Sequence, residues 1–201
     1  MKKRIAIDLN DTCRSYSNSL ITYYNRWDER DKSFDPDNVK YREGDMFSCI
    51  PFRSDKERID FITINYVYEI NACPKPLPFF EGRFITFHND MLDEFENDIE
   101  ILVVSPFECE LERQATFFFL SKACMRVKKV LFPSTIKELW DNADILITAN
   151  PKLLMDVPDG KTTIKIKTKY NKKSKSTYSF DSIMDIISEE NQEKIKSIIK
   201  S

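Results

Sequence analysis

The chain has 201 residues, 41% of them hydrophobic, and its 31 basic and 33 acidic residues leave a formal net charge of −2. That length supports one substantial core, or a core carrying an insertion, rather than two independent domains. Near-cancelling charge gives no reason for a nucleic-acid or anionic-membrane partner, and 15 Phe and 8 Tyr against 3 Gly argue against disorder.

The first apolar run, Arg4 to Asp8, ends too early for a signal peptide or a membrane span, so the cytoplasm is the expected location. It reads as a strand that delivers Asp8 at its carboxy end, where open parallel sheets place their sites. The next such run, Ile99 to Ser105, comes only after about ninety residues, where a crossover needs about a dozen. That interval reads as helical. Ser17 to Trp27 is aromatic-rich, and Asp35-Pro36 sets a capping carboxylate before a proline at a first helical position. Ser54-Asp55-Lys56-Glu57 is a capping box that opens a periodic run of Ile59, Phe61, Ile62, Ile64, Val67 and Tyr68. Pro74, Pro76 and Pro78 mark the return, and Phe84 to Glu96 is expected to be the last helix before the sheet resumes. His88, within it, reads as a helix-surface or hinge histidine rather than a general base.

Beyond Ser105, Glu110 to Ala123 has helical spacing, and its block Phe117-Phe118-Phe119-Leu120 reads as packing. Val127 to Phe132, Asp144 to Thr148 and Thr163 to Lys167 read as further strands, with a short helix from Thr135 to Asn142. This alternation is the pattern of a parallel sheet covered by helices. Lys161, Lys165, Lys167, Lys169, Lys172, Lys173 and Lys175 read as a solvated edge strand and loop, since only Tyr170 among them is available for base stacking. Ser182 to Ile187 and Asn191 to Ile199 are short amphipathic segments. Cys13, Cys49, Cys73, Cys109 and Cys124 form no C-x-x-C pair and read as free thiols. Gly44, Gly82 and Gly160 are isolated, which removes kinase and dinucleotide-binding readings.

Three strand ends, taken in order, carry a resemblance. Asp8-Leu9-Asn10-Asp11-Thr12 resembles the D-x-D-x-T/V motif of the haloacid dehalogenase (HAD) phosphatases, with Asp8 at the nucleophile and Asn10 where the second aspartate belongs. Ile101-Leu102-Val103-Val104-Ser105-Pro106 looks like the second motif, in which a hydroxyl holds a phosphate oxygen; Ser105 matches it. Ala143-Asp144-Ile145-Leu146-Ile147-Thr148-Ala149-Asn150-Pro151 is similar to the D-I-L-I-D-D-N-P stretch of the deoxyribonucleotidase branch. There the paired aspartates help bind magnesium; here the positions are Thr148 and Ala149. The family's lysine falls between the third and fourth strands, and Lys137 is the residue offered for it, against a plain surface reading.

The resemblance implies an α/β, three-layer HAD-like Rossmannoid core of parallel sheet, residues 1–14 and 97–201, with a helical cap at 15–96 inserted after the first strand. It also implies a degenerate site. Asn10 keeps hydrogen bonds for a small phosphate ligand shared with Ser105, yet it cannot cycle a proton, and losing general acid–base help costs about 10² to 10⁴ in rate. Only Asp8 remains as an anionic metal ligand, with Asn150 and Glu108 as substitutes that a loop could bring in. The expectation is therefore a non-catalytic binding or structural protein without a cofactor. The alternative is an active, magnesium-dependent nucleotide phosphomonoesterase using Asp8. The whole chain also looks like HAD-like proteins of large crAss-like phages, which implies the host cytoplasm or the virion as its setting and a protein partner or assembly as its company.

Overall fold

The computed structural model describes residues 2–75, 77, 98–105, 109–123 and 127–200. Their strands are β1 (Lys3–Asp8), β2 (Ile99–Val104), β3 (Val130–Leu131), β4 (Ile145–Thr148), β5 (Thr162–Ile166) and β6 (Tyr178–Phe180). They form one parallel sheet in the order β3-β2-β1-β4-β5-β6. In a sheet of this order the strand sequence reverses between β1 and β4, and the crevice beyond their carboxy ends is the natural ligand position.

Alternation along the strands makes two apolar faces. Ile5, Ile7, Ile101, Val103, Ile145, Ile147, Ile164 and Ile166 face α4 (Glu110–Lys122) and α6 (Gln192–Lys200), which supply Phe119, Leu120, Ile195 and Ile198. Ala6, Val104 and Leu146 face the other way and meet Leu139 and Trp140 of α5 (Ile136–Asn142). Helix α5 begins as its sequence suggests: the Thr135 hydroxyl accepts from the Glu138 N–H at 3.1 Å, and the Glu138 carboxylate reaches back to the Ser134 N–H at 2.8 Å.

The amino edge of the same sheet is fastened by charge. Asp144, just before β4, accepts from the Arg4 Nε at 3.1 Å and Nη2 at 3.0 Å, and from the Lys161 Nζ at 2.9 Å. One carboxylate thus joins β1, β4 and the start of β5, and its cations hold it far below the usual carboxylate range, the Arg4 hydrogen bond foremost.

Between β1 and β2 the insert folds into α1 (Tyr16–Arg26), α2 (Asp55–Asp60) and α3 (Val67–Ala72). It has its own aromatic core, in which buried Tyr24 is ringed by Trp27, Phe34, Phe52 and Phe61 at centroid distances of 5.0 to 5.9 Å. The Ser54 hydroxyl caps α2 through the Glu57 N–H, as its sequence predicts. The apolar run that follows does not keep one helical face. Phe61–Asn65 is a π turn, and the extra residue rotates the face, so Phe61, Ile62 and Val67 are buried while Ile59, Ile64 and Tyr68 are exposed. Asp35-Pro36 opens no helix; its carboxylate caps a single turn through the Asp37 N–H at 3.0 Å.

Two further expectations are corrected. The lysine-rich stretch is not an edge strand, because β6 pairs outside β5; Lys165 is buried, its Nζ donating to the carbonyls of Asn171 at 3.3 Å and Ser174 at 2.6 Å. Of the phenylalanine block, Phe119 and Leu120 pack inward, but Phe117 and Phe118 stay about half exposed. Ser182 to Ile187, read as a short amphipathic segment, is a 3-10 turn with a Ser182/Asp185 capping box. The helix expected over Phe84 to Glu96, with His88, lies outside the described residues, as do Pro76, Pro78, Gly82, Glu108 and Cys124. Cys13, Cys49, Cys73 and Cys109 are free, the first two buried. No helix among the described residues is long and apolar enough to cross a membrane.

Candidate functional site

Asp8 closes β1 at the crevice and is wholly buried. The chain then turns back on itself: the N–H groups of Cys13 and Arg14 both donate to the Leu9 carbonyl, at 2.9 and 3.0 Å, with Asp11 in the left-handed region at φ 54°. That turn returns Arg14 beside Asn10, and the two form an isolated bridge. Sequence reasoning passed over Arg14, because a lone arginine in a polar turn gives the same signal as a surface residue.

Arg14 is also wholly buried, and each of its five N–H groups has an acceptor. Nε donates to the Asn10 Oδ1 at 2.7 Å. Nη1 donates to the Asn71 carbonyl at 2.7 Å and the Thr116 hydroxyl at 3.3 Å, and Nη2 to the Asn71 Oδ1 at 2.9 Å and the Ser105 hydroxyl at 3.3 Å. All five acceptors are neutral. They come from the β1 turn, from α3, from the end of β2 and from α4, so one guanidinium knots the insert to the core. Its flanks rest on the Tyr16 and Phe119 rings, with centroids 5.8 and 5.7 Å away.

The Asp8 carboxylate has different company. Its Oδ2 accepts from the Thr148 hydroxyl at 2.7 Å, and its Oδ1 from the Asn10 N–H at 3.3 Å. Thr148 in turn accepts from the Asn150 N–H at 2.9 Å, and the Ala149 N–H donates to the Thr12 hydroxyl at 3.0 Å. The strand ends are therefore laced together by Asn10, Thr12, Thr148 and Ala149. Burial raises the Asp8 carboxyl to about 6, against the Thr148 hydroxyl, the Asn10 N–H and the Arg14 charge, which all lower it. Burial lowers the Arg14 guanidinium to about 10, opposed by Tyr16, Asp8 and Glu112, so it stays protonated at neutral pH.

Asp8, Asn10, Ser105, Thr148 and Ala149 are thus gathered at one edge. Asp8 reaches Ser105 through a chain of hydrogen bonds, from its Oδ1 to Asn10, from the Asn10 Oδ1 to Arg14, and from Arg14 to the Ser105 hydroxyl. Lys137 is not brought to them; it lies exposed on α5. Asn150 spends its side chain capping the turn Pro151–Leu154 through the Lys152 N–H at 3.0 Å.

Magnesium needs near-octahedral oxygen ligation with carboxylate help. Among the described residues Asp8 is the one carboxylate in the hydrogen-bond network at this edge, both of its oxygens accept hydrogen bonds from protein, and a fixed cation shares the constellation. Among the described residues no three His, Cys, Asp or Glu side chains are grouped as a metal site. The donor set of the described residues does not fit the ion.

Neither a family model nor a curated protein matches the chain. Solved structures do. A chain described as a haloacid dehalogenase-like hydrolase from Bacteroides fragilis aligns over 93% of this chain and 100% of its own, with 11% identity and a TM-score of 0.62. The HAD-hydrolase YfnB from Bacillus subtilis, in a form bound to magnesium, aligns over 92% of this chain and 96% of its own, with 9% identity; its TM-score of 0.43 adds no weight. On the first of these likenesses, the chain has the haloacid dehalogenase-like hydrolase fold.

Proposed function

We propose that this protein has a HAD-like fold whose phosphatase-type site is closed by its own arginine, and that it works by binding rather than by hydrolysis. The observation that carries the reading is the saturated Arg14. In a phosphatase of this type the Ser105 hydroxyl would hold a phosphate oxygen; here it accepts from Arg14. Displacing the guanidinium for a phosphate would break hydrogen bonds to the buried acceptors of Asn71, Ser105 and Thr116, each costing about 1–3 kcal/mol. Asn10 cannot take over the proton, because its side-chain oxygen is held by Arg14 and it has no titratable group.

The test is phosphate release from p-nitrophenyl phosphate and from a set of deoxynucleoside monophosphates, with magnesium, for the natural chain and for Asp8→Asn. Equal, background-level release from both is expected. Magnesium-dependent turnover lost in Asp8→Asn would overturn the reading. It would favour the second one, an active phosphomonoesterase of the nucleotidase-like branch, whose specific support is that Asp8 still stands at the tip of β1 and is largely ionised at neutral pH. The placement in a large crAss-like phage, in the host cytoplasm or the virion and in company with a protein partner, is part of the same proposal and rests on the resemblance of the whole chain to HAD-like proteins of such phages.

A further inference from the structure

A cleft of about 470 Å³ opens between α1, the loop at residues 36–41 and the chain leaving β5 and β6. That volume suits a small molecule. Among the described residues its wall includes Asp11 and Thr12 but neither Asp8, Ser105 nor Arg14, so it addresses a different carboxylate from the one discussed above.

Asp11 is half-buried at the cleft, turned there by its left-handed backbone, a conformation that costs a non-glycine residue about 1 kcal/mol or more and is held only where surroundings impose it. Its carboxylate accepts from the Ser17 N–H at 2.9 Å, from the Ser17 hydroxyl and from the Tyr170 hydroxyl at 2.7 Å. Every one of these donors is neutral. A carboxylate removed from water calls for a cation, and no basic side chain is among its hydrogen-bond partners. Of the two lysines in the cleft wall, Lys167 pairs with Asp181 at 2.9 Å and Lys169 is exposed; neither is among the hydrogen-bond partners of Asp11.

Beside Asp11 stand two rings, Tyr41 and Tyr170, with centroids 5.5 Å apart, and the rest of the wall includes Ile21, Val39 and Ile183. A carboxylate next to paired aromatic faces is the chemistry that holds an ammonium group: charge against charge, with the rings stabilising the cation and covering an apolar body. We propose that this cleft binds a small organic ammonium on an aromatic or apolar body, with Asp11 as counter-charge and the Tyr41/Tyr170 pair as its wall. The site goes beyond the function proposed above and stands whether or not Asp8 turns over.

Calorimetric titration of the full chain with three probes of one shape tests it: tyramine, its neutral analogue 4-ethylphenol and its anionic analogue 4-hydroxyphenylacetate. Tyramine is expected to bind at least about 10-fold more tightly than 4-ethylphenol, with no binding of the anion. Asp11→Asn is expected to remove that preference. Val39→Trp, a loop substitution that fills the cleft without touching β1, is expected to abolish tyramine binding and keeps the test intact if Asp11→Asn fails to fold. The proposal is overturned by no tyramine binding up to about 10 mM, by equal binding of the anion, or by unchanged binding in Val39→Trp. The phosphate-release assay reads none of these outcomes, so the two proposals fail separately.

Discussion

The two edges of the sheet handle charge in opposite ways. At the amino edge Asp144 lies partly exposed and meets Arg4 and Lys161 directly, within 3.0 Å. At the carboxy edge Asp8 and Arg14 are both wholly buried, yet the hydrogen bonds of each go to neutral groups, and Asn10 links them. The first arrangement is explained by folding alone, because it ties three strand starts together. The second is not: a buried carboxylate raised to about 6 opposes folding at neutral pH. A carboxylate at a position that folding disfavours is what the proposed reading takes as the site, with the arginine beside it as the group that closes it.

That contrast can be broken or sharpened by substitution. The largest effect belongs to Arg14→Met, which removes the guanidinium donor from Asn10 and Asn71 and leaves the Ser105 and Thr116 hydroxyls, 3.3 Å apart, only each other. A loss of about 3–5 kcal/mol in urea unfolding is expected, and a loss under about 1 kcal/mol would contradict a structural role for the guanidinium.

Next comes Asp8→Asn, with the opposite sign. The folded carboxyl titrates higher than an unfolded one, so its ionisation costs stability; the cost is absent below about pH 4, grows through pH 6 and is complete above it. Asp8→Asn should therefore stabilise by about 2 kcal/mol at pH 8 and by nothing at pH 4, read as melting temperature against pH.

Asp144→Asn at the other edge should do the reverse on a smaller scale. Its carboxyl is depressed in the folded chain, so it stabilises above the unfolded value and loses that contribution as pH falls. A destabilisation of about 1 kcal/mol at neutral pH, fading in acid and in high salt, is expected for a pair so near the surface. Lys137→Ala, on the exposed side of α5, should move stability by no more than about 0.5 kcal/mol.

Much of the fold could be read from residues, because apolar runs such as Ile101 to Val104 and Ile145 to Ile147 are buried on both faces and announce a parallel sheet. β6 could not, since three residues, Tyr178 to Phe180, sit among polar neighbours and pair only because β5 offers an open side. The π turn at Phe61 was invisible for a similar reason: periodicity assumes a fixed residue count per turn. For the site, Asp8, Asn10, Ser105 and Thr148 were legible as motif positions. Arg14 was not, because what buries it is contributed by Asn71, Ser105 and Thr116, up to 102 residues away in the chain. The Asp144 clasp escaped for the same cause, its partners Arg4 and Lys161 being distant in sequence.

Titrating magnesium into the natural chain by calorimetry is the most direct test of the proposal that Arg14 closes the site at Asp8. No stoichiometric binding up to about 10 mM is expected, with Asp8→Asn giving the same flat trace. A saturable one-to-one isotherm that Asp8→Asn removes would contradict it.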